Sequence, residues 1–171
     1  DSGSVRMSGI LHLLREQGFH LTFAADNAAE QKSYRQQLEG QGIETVQGYP
    51  AILEQLGQQG GKYRYIILSR PDVAFRYLPA VRAFALNAEV AFDTVDLYWV
   101  RMEREMEITG DCNLKERIAH YRRIELFNTA CSDIVLAITP EEQARLLDEL
   151  PDARVEILPN IHDPQPLATP F

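Results

Sequence analysis

Apolar positions along the chain follow two alternating periods. Short β-type runs are separated by longer stretches in which apolar residues recur every third or fourth position, with Gly, Pro, Asn or Asp at most junctions. Met7, Ile10, Leu11 and Leu14 predict an opening helix, capped by Ser2 or Ser4 and stopped at Gly18. Phe19 to Ala24 predicts a strand closed by Asp26-Asn27, Glu30 to Gln41 a helix, and Ile43 to Val46 a short strand. A helix from Pro50 to Gln59 carries Ile52, Leu53 and Leu56 on one face. Tyr65-Ile66-Ile67-Leu68 is a clear, continuous β-type apolar run. A parallel sheet buried on both faces needs such runs at its centre, so this strand is expected to be central.

The second half repeats the pattern. A helix from about Asp72 to Leu86, kinked at Pro79, leads to a strand at Glu89 to Asp93. Helices at Tyr98 to Thr109 and Asn113 to Cys131 flank Gly110. A strand at Ile134 to Ile138, a helix opened by Pro140 and a last strand at Val155 to Leu158 complete the series. Strands separated repeatedly by helices imply βαβ units, hence an α/β fold with a Rossmann-like, doubly wound parallel sheet. Because the first predicted element is a helix, the pattern anticipates a strand ahead of Asp1. The domain is expected over residues 1–162, with 163–171 a Pro-rich linker toward a carboxy-terminal domain.

In open parallel sheets ligands bind beyond the carboxyl ends of the strands. The residues so placed are Asp26, Asn27, Ser69, Arg70, Asp93, Thr94, Asp96, Thr139, Asn160 and His162. Asp93 and Asp96, three positions apart after a buried run, suit shared acid–base work or hydroxyl binding. The plainer reading ends the strand at Asp93 and caps the next helix with Asp96. Asp1-Ser2-Gly3-Ser4 suits a strand-to-helix turn whose amides approach a phosphate or sugar hydroxyl, or a simple Ser cap. The charged run Arg101 to Glu107 reads as a solvated helix face with Arg101 and Glu105 paired, leaving Arg101 nearest the strand end.

Composition narrows the chemistry further. The 171 residues carry 17 Lys and Arg against 25 Asp and Glu, a net charge of −8, which argues against a non-specific grip on nucleic acid. No apolar run approaches the ~20 residues that a membrane-spanning helix needs. Cys112 and Cys131 form no CxxC pair, and the four histidines have no metal-ligand spacing, so no metal site is expected. Free thiols point to a cytoplasmic setting. There is no GxGxxG, P-loop or GxSxG motif.

The segments DSGSVRM, ILSRPDVA, VAFDTVDL with Arg101, Arg104 and Glu105 behind it, and ILPNIH occur in that order from Asp1 to His162. Together they resemble the amino-terminal half of bacterial retaining GT-B glycosyltransferases of the group 1 type, which build cell-surface polysaccharides. The resemblance implies one half of a two-domain fold, receiving a glycan or glycolipid acceptor while its own carboxy-terminal domain holds most of the nucleotide-sugar. It implies Asp93, Asp96, Tyr98 and Arg101 as catalytic residues. It implies Ser2, Gly3, Ser4, Asp26, Asn27, Ser69, Arg70, Asn160 and His162 as substrate-binding residues. No cofactor is implied beyond the nucleotide-sugar substrate; catalysis would rest on orientation and on stabilising the departing diphosphate. Localisation at the inner face of the cell membrane, through partners, is part of that expectation. Relatives commonly place His where this chain has Tyr98, which can donate a hydrogen bond but does not titrate near neutrality. The alternative is a non-catalytic sugar-binding or assembly module of a larger polysaccharide-biosynthesis protein.

Overall fold

The computed structural model describes residues 2–26 and 32–160. Its elements run α1 (Ser2–Glu16), β1 (Thr22–Ala25), α2 (Lys32–Gly40), β2 (Glu44–Gln47), α3 (Tyr49–Gln59), a 3-10 turn (Gly60–Lys62) and β3 (Tyr65–Ser69). There follow α4 (Pro71–Phe84), β4 (Glu89–Asp93), α5 (Tyr98–Thr109), α6 (Leu114–Cys131), β5 (Ile134–Ala137), α7 (Pro140–Glu149) and β6 (Val155–Ile157). This is an α/β fold of Rossmann-like type. β1 pairs with β2, and β3, β4, β5 and β6 form a four-stranded sheet in that order. Its pairs are parallel. No helix among the described residues is long and apolar enough to cross a membrane.

The chain forms two compact units. Of the described residues, the first comprises 2–23, 32–45 and 160; the second comprises 24–26 and 46–159. In the first, Leu11, Leu38 and Ile43 form a small core, flanked by Met7, Leu21, Phe23 and Tyr34. In the second, the core runs from Ile52 and Leu56 through Val90, Phe92 and Trp99 to Leu146 and Val155. Burial of so many large apolar side chains, at about 1.5–3 kcal/mol each, is what holds the second unit together.

Two expectations need correction. Tyr65 to Leu68 is not central: β3 borders the four-stranded sheet and β4 lies inside it. An apolar run reports that a strand's faces are covered, and helices can cover an edge strand as well as an inner one. The ladder position is visible instead in exposure, for Tyr65 remains exposed while Val90, Phe92 and Asp93 are fully buried. The second correction concerns Gly3 and Ser4, which lie in the first turn of α1 rather than in a loop before it. Asn27, His162 and the 163–171 segment lie outside the described residues.

Gly60 shows how closely the second unit is packed. A Cβ there would stand 2.6 Å from the Phe84 carbonyl oxygen and 2.9 Å from its carbon, both backbone atoms. Gly60→Ala is therefore expected to cost about 1–3 kcal/mol by overpacking. At Gly57, in α3 with nothing within 4 Å, the same change should gain about 0.5–1 kcal/mol. Melting temperatures of the two variants, moving in opposite directions, check this.

Candidate functional site

The register of the sheet sets the site. Ser69 is opposite Asp93, and Asp93 is opposite Leu136, so β3, β4 and β5 end level with one another. Ser69 Oγ donates to Asp93 Oδ2 at 3.0 Å, and the Arg70 amide donates to the Asp93 carbonyl at 3.0 Å. Thr94 Oγ1 donates to the Leu136 carbonyl at 3.1 Å. Asp93 and Thr94 have no exposed surface. They tie the strand ends together from below, and Asp93 is in no position to meet a ligand directly.

The chain leaves β3 and β4 through strained residues. Arg70 has φ 77° and Val95 φ 64°. These are the only non-glycine residues at positive φ among those described, and a β-branched residue there is a genuine outlier. Each costs on the order of 1–3 kcal/mol and persists because surrounding contacts over-determine it, a pattern concentrated at binding sites. Arg70 is exposed.

Beyond Val95 the side chains converge. Asp96 Oδ2 accepts from Arg101 Nη1 at 2.8 Å, while Asp96 Oδ1 is buried with no hydrogen-bond partner among the described residues. Arg101 lies over the Tyr98 ring, 4.6 Å from its centroid. On Tyr98 packs Tyr121, with ring centroids 5.1 Å apart, and Tyr121 Oη donates to Asp72 Oδ2 at 3.2 Å. Burial raises the pKa of Asp96 against the opposing pull of Arg101, with Arg104 and Arg70 also acting on it. Burial likewise raises the Tyr98 phenol. Asp96, Tyr98 and Arg101 thus lie together with Arg70 near enough to act on the first two, while Asp93, which the resemblance groups with them, is buried in the strand end.

Capping of α5 departs from the plainer sequence reading. Asp96 does not cap it: the N-cap residue is Leu97, and no cap side chain bonds the helix. Instead Glu142 Oε1 accepts from the Leu97 amide at 3.1 Å, and Glu125 accepts from the amides of Tyr98 at 2.9 Å and Trp99 at 3.1 Å. Both glutamates are buried. Glu142 Oε2 also accepts from the Ile138 amide at 3.1 Å, and its own amide donates to Thr139 Oγ1, which caps α7. A bare helix N-terminus attracts anions. Here the first amides of α5 are already engaged by the buried Glu125 and Glu142 carboxyl groups, which leaves this helix end less open to an anion.

The remaining candidates have other settings. Asp26 accepts from Arg76 Nη1 at 2.6 Å and from Tyr77 Oη at 2.5 Å, beside a cavity of ≈ 330 Å³ lined by Tyr49 and Arg76. Burial and the Asp26 carboxylate raise the Tyr77 phenol. Gly3, Ser4 and Asn160 belong to the first unit. The side chain of Ser2 lies outside the described residues. The Arg101–Glu105 pair does not form: besides Arg101 to Asp96, the α5 charges reach α7, with Arg104 to Glu141 at 2.5 Å and Glu103 to Arg145 at 2.6 Å. Longer-range partners outcompete weak i,i+4 pairs, which are worth about 0.3–0.5 kcal/mol on a solvated helix. Among the described residues no group of His, Cys, Asp or Glu is arranged to hold a metal, and both cysteines are free.

No protein-family model matches the chain, and no curated protein is detectably similar to it.

Proposed function

We propose that the surface at the carboxyl ends of β3 and β4 binds a carbohydrate, and that the chain is the acceptor-binding half of a glycosyltransferase moving sugar from a nucleotide-sugar to a surface polysaccharide or glycolipid. The observation that carries this is the Asp96–Arg101–Tyr98 cluster. A carboxylate and a guanidinium held together offer paired hydrogen bonds to adjacent hydroxyls, and the half-buried Tyr98 ring beneath Arg101 adds apolar surface beside them. The accessible oxygen of Asp96 is Oδ2, which Arg101 holds; Oδ1 is buried. The exposed Arg70 supplies positive charge that acts on both Asp96 and Tyr98. Acting in the full enzyme, these groups would orient the acceptor rather than supply a nucleophile.

A second reading, a sugar-binding module without catalysis, is favoured by Tyr98. A phenol is neutral near pH 7, and burial raises its pKa further, in the place where the enzymes it resembles carry a titratable imidazole. Both readings predict saccharide binding by this chain and no transfer without a donor-binding partner domain. Titration of mono- and disaccharides up to about ten millimolar would detect a contact of about 3 kcal/mol. Asp96→Asn and Arg101→Ala should each weaken binding by about tenfold, a loss of about 1.4 kcal/mol. Incubated with nucleotide-sugars, the chain should release no nucleotide at enzyme rates. Turnover by this chain alone would overturn the half-enzyme assignment, and absence of saccharide binding would overturn both readings.

A further inference from the structure

Helix α6 carries a stripe that its overall composition hides. Leu114, Ile118, Tyr121, Glu125 and Asn128 recur at spacings of four, three, four and three, the interval that keeps one helix face turned inward. The first two are apolar core residues. The stripe then turns polar without leaving the interior: Glu125 and Asn128 have no exposed surface. Buried polar groups on a core stripe are costly unless engaged; both Glu125 oxygens and Asn128 Nδ2 are engaged at the two strained turns, while Asn128 Oδ1 has no partner among the described residues. Asn128 Nδ2 donates to the Pro71 carbonyl at 2.9 Å, next to Arg70. Glu125 accepts the Tyr98 and Trp99 amides, at the end of the turn containing Val95. Tyr121 joins both sides at once, through its hydroxyl to Asp72 and its ring to Tyr98. α6 itself is fixed against α4, α5 and α7.

We propose that Tyr121, Glu125 and Asn128 are positioning residues that act as one brace, setting the β3–α4 and β4–α5 turns relative to each other and so fixing the spacing of Arg70, Asp96 and Tyr98. The term positioning residue rests on the carbohydrate-site reading above; the mechanical coupling does not. The stripe holds one turn through a carbonyl and the other through amides. Strain at φ 77° and φ 64° can then persist in both turns, because neither can relax without moving the same helix face. Either loop should therefore respond to the loss of a contact made only with the other.

Amide hydrogen exchange on the ligand-free chain tests this, with the single tryptophan, Trp99, as a second reporter inside the brace. Asn128→Ala touches only the Pro71 side, yet is expected to speed exchange of the Tyr98 and Trp99 amides at least tenfold and to shift Trp99 emission. Glu125→Gln touches only the Tyr98 side, yet should speed exchange of the Ala74 amide, whose bond to the Arg70 carbonyl closes the first turn of α4. Tyr121→Phe, a milder change should either variant fold poorly, should speed both sets about threefold. The Val135 amide, bonded to Arg154 in the β5–β6 pair, serves as control. Changes confined to the loop each residue touches would overturn the brace, as would equal acceleration at Val135, which would mean global destabilisation. Coupling without saccharide binding would leave the brace standing and remove the functional reading instead.

Discussion

Trp99→Ala is expected to produce the largest loss of stability of any single substitution in the second unit. The indole is 1% exposed at the start of α5, and it is one of the largest fully buried side chains. Arg145 stacks over it at 4.4 Å and Arg122 at 5.9 Å. Truncating a buried Trp removes its transfer energy and leaves a cavity, together about 3–5 kcal/mol. Domains hold only about 5–15 kcal/mol in total, so the variant should melt roughly 6–20 °C lower. Trp99→Phe should lose about half as much: it keeps an aromatic face, and the indole Nε1 has no hydrogen-bond partner among the described residues. Thermal melts of the three proteins check the order. A Trp99→Ala protein that melts with the parent would mean that α5 is not anchored here.

The second large effect is on pH dependence. Glu125 is pushed up to about 8, chiefly by burial, against the pull of the Tyr98 and Trp99 amides; the nearby charges of Asp96 and Glu142 add to the rise. A carboxyl with a higher pKa folded than unfolded holds its proton more tightly in the folded state. Its contribution is therefore fully present below the ordinary carboxylate range near 4.5 and is lost as pH rises to about 8. The slope for one proton is at most about 1.4 kcal/mol per pH unit. Asp96 and Glu142, also raised by burial, act in the same direction. Asp133, lowered by Arg82 and the Val90 amide against its own desolvation, acts in the opposite direction, its contribution being lost only in acid. Denaturant midpoints should fall between pH 5 and pH 8, and Glu125→Gln should flatten that decline. A profile that is unchanged in the variant would show that Glu125 does not titrate in this window.

Much of the fold was legible because hydrophobic period reports which faces are covered, and covered faces define strands and helices. The Glu89–Asp93 strand, the helix on either side of Gly110 and the Pro140 helix start all appear where the periodicity put them. Lateral order in a sheet leaves no such trace, which is why Tyr65 to Leu68 misled. Around the candidate site, Asp96 and Arg70 follow from the rule for strand ends, Arg101 from its place at the strand-proximal end of the charged run, and Tyr98 from the family resemblance. Arg70 and Val95 could not be read as strained, since neither residue type advertises positive φ. Glu125, Glu142 and Asn128 were missed because a Glu or Asn in a helix ordinarily signals solvent. The available signal was the four-three spacing from Leu114 to Asn128, which places polar residues on a stripe that begins as core.

The most direct test of the carbohydrate-site reading is residue-resolved. Amide chemical shifts would be followed while a neutral disaccharide is titrated into the chain. The account predicts shifts centred on Ser69 to Asp72 and Asp93 to Arg101, and loss of those shifts in Asp96→Asn. Shifts centred instead on the Tyr49–Arg76 cavity, or none at saturating sugar, would contradict it.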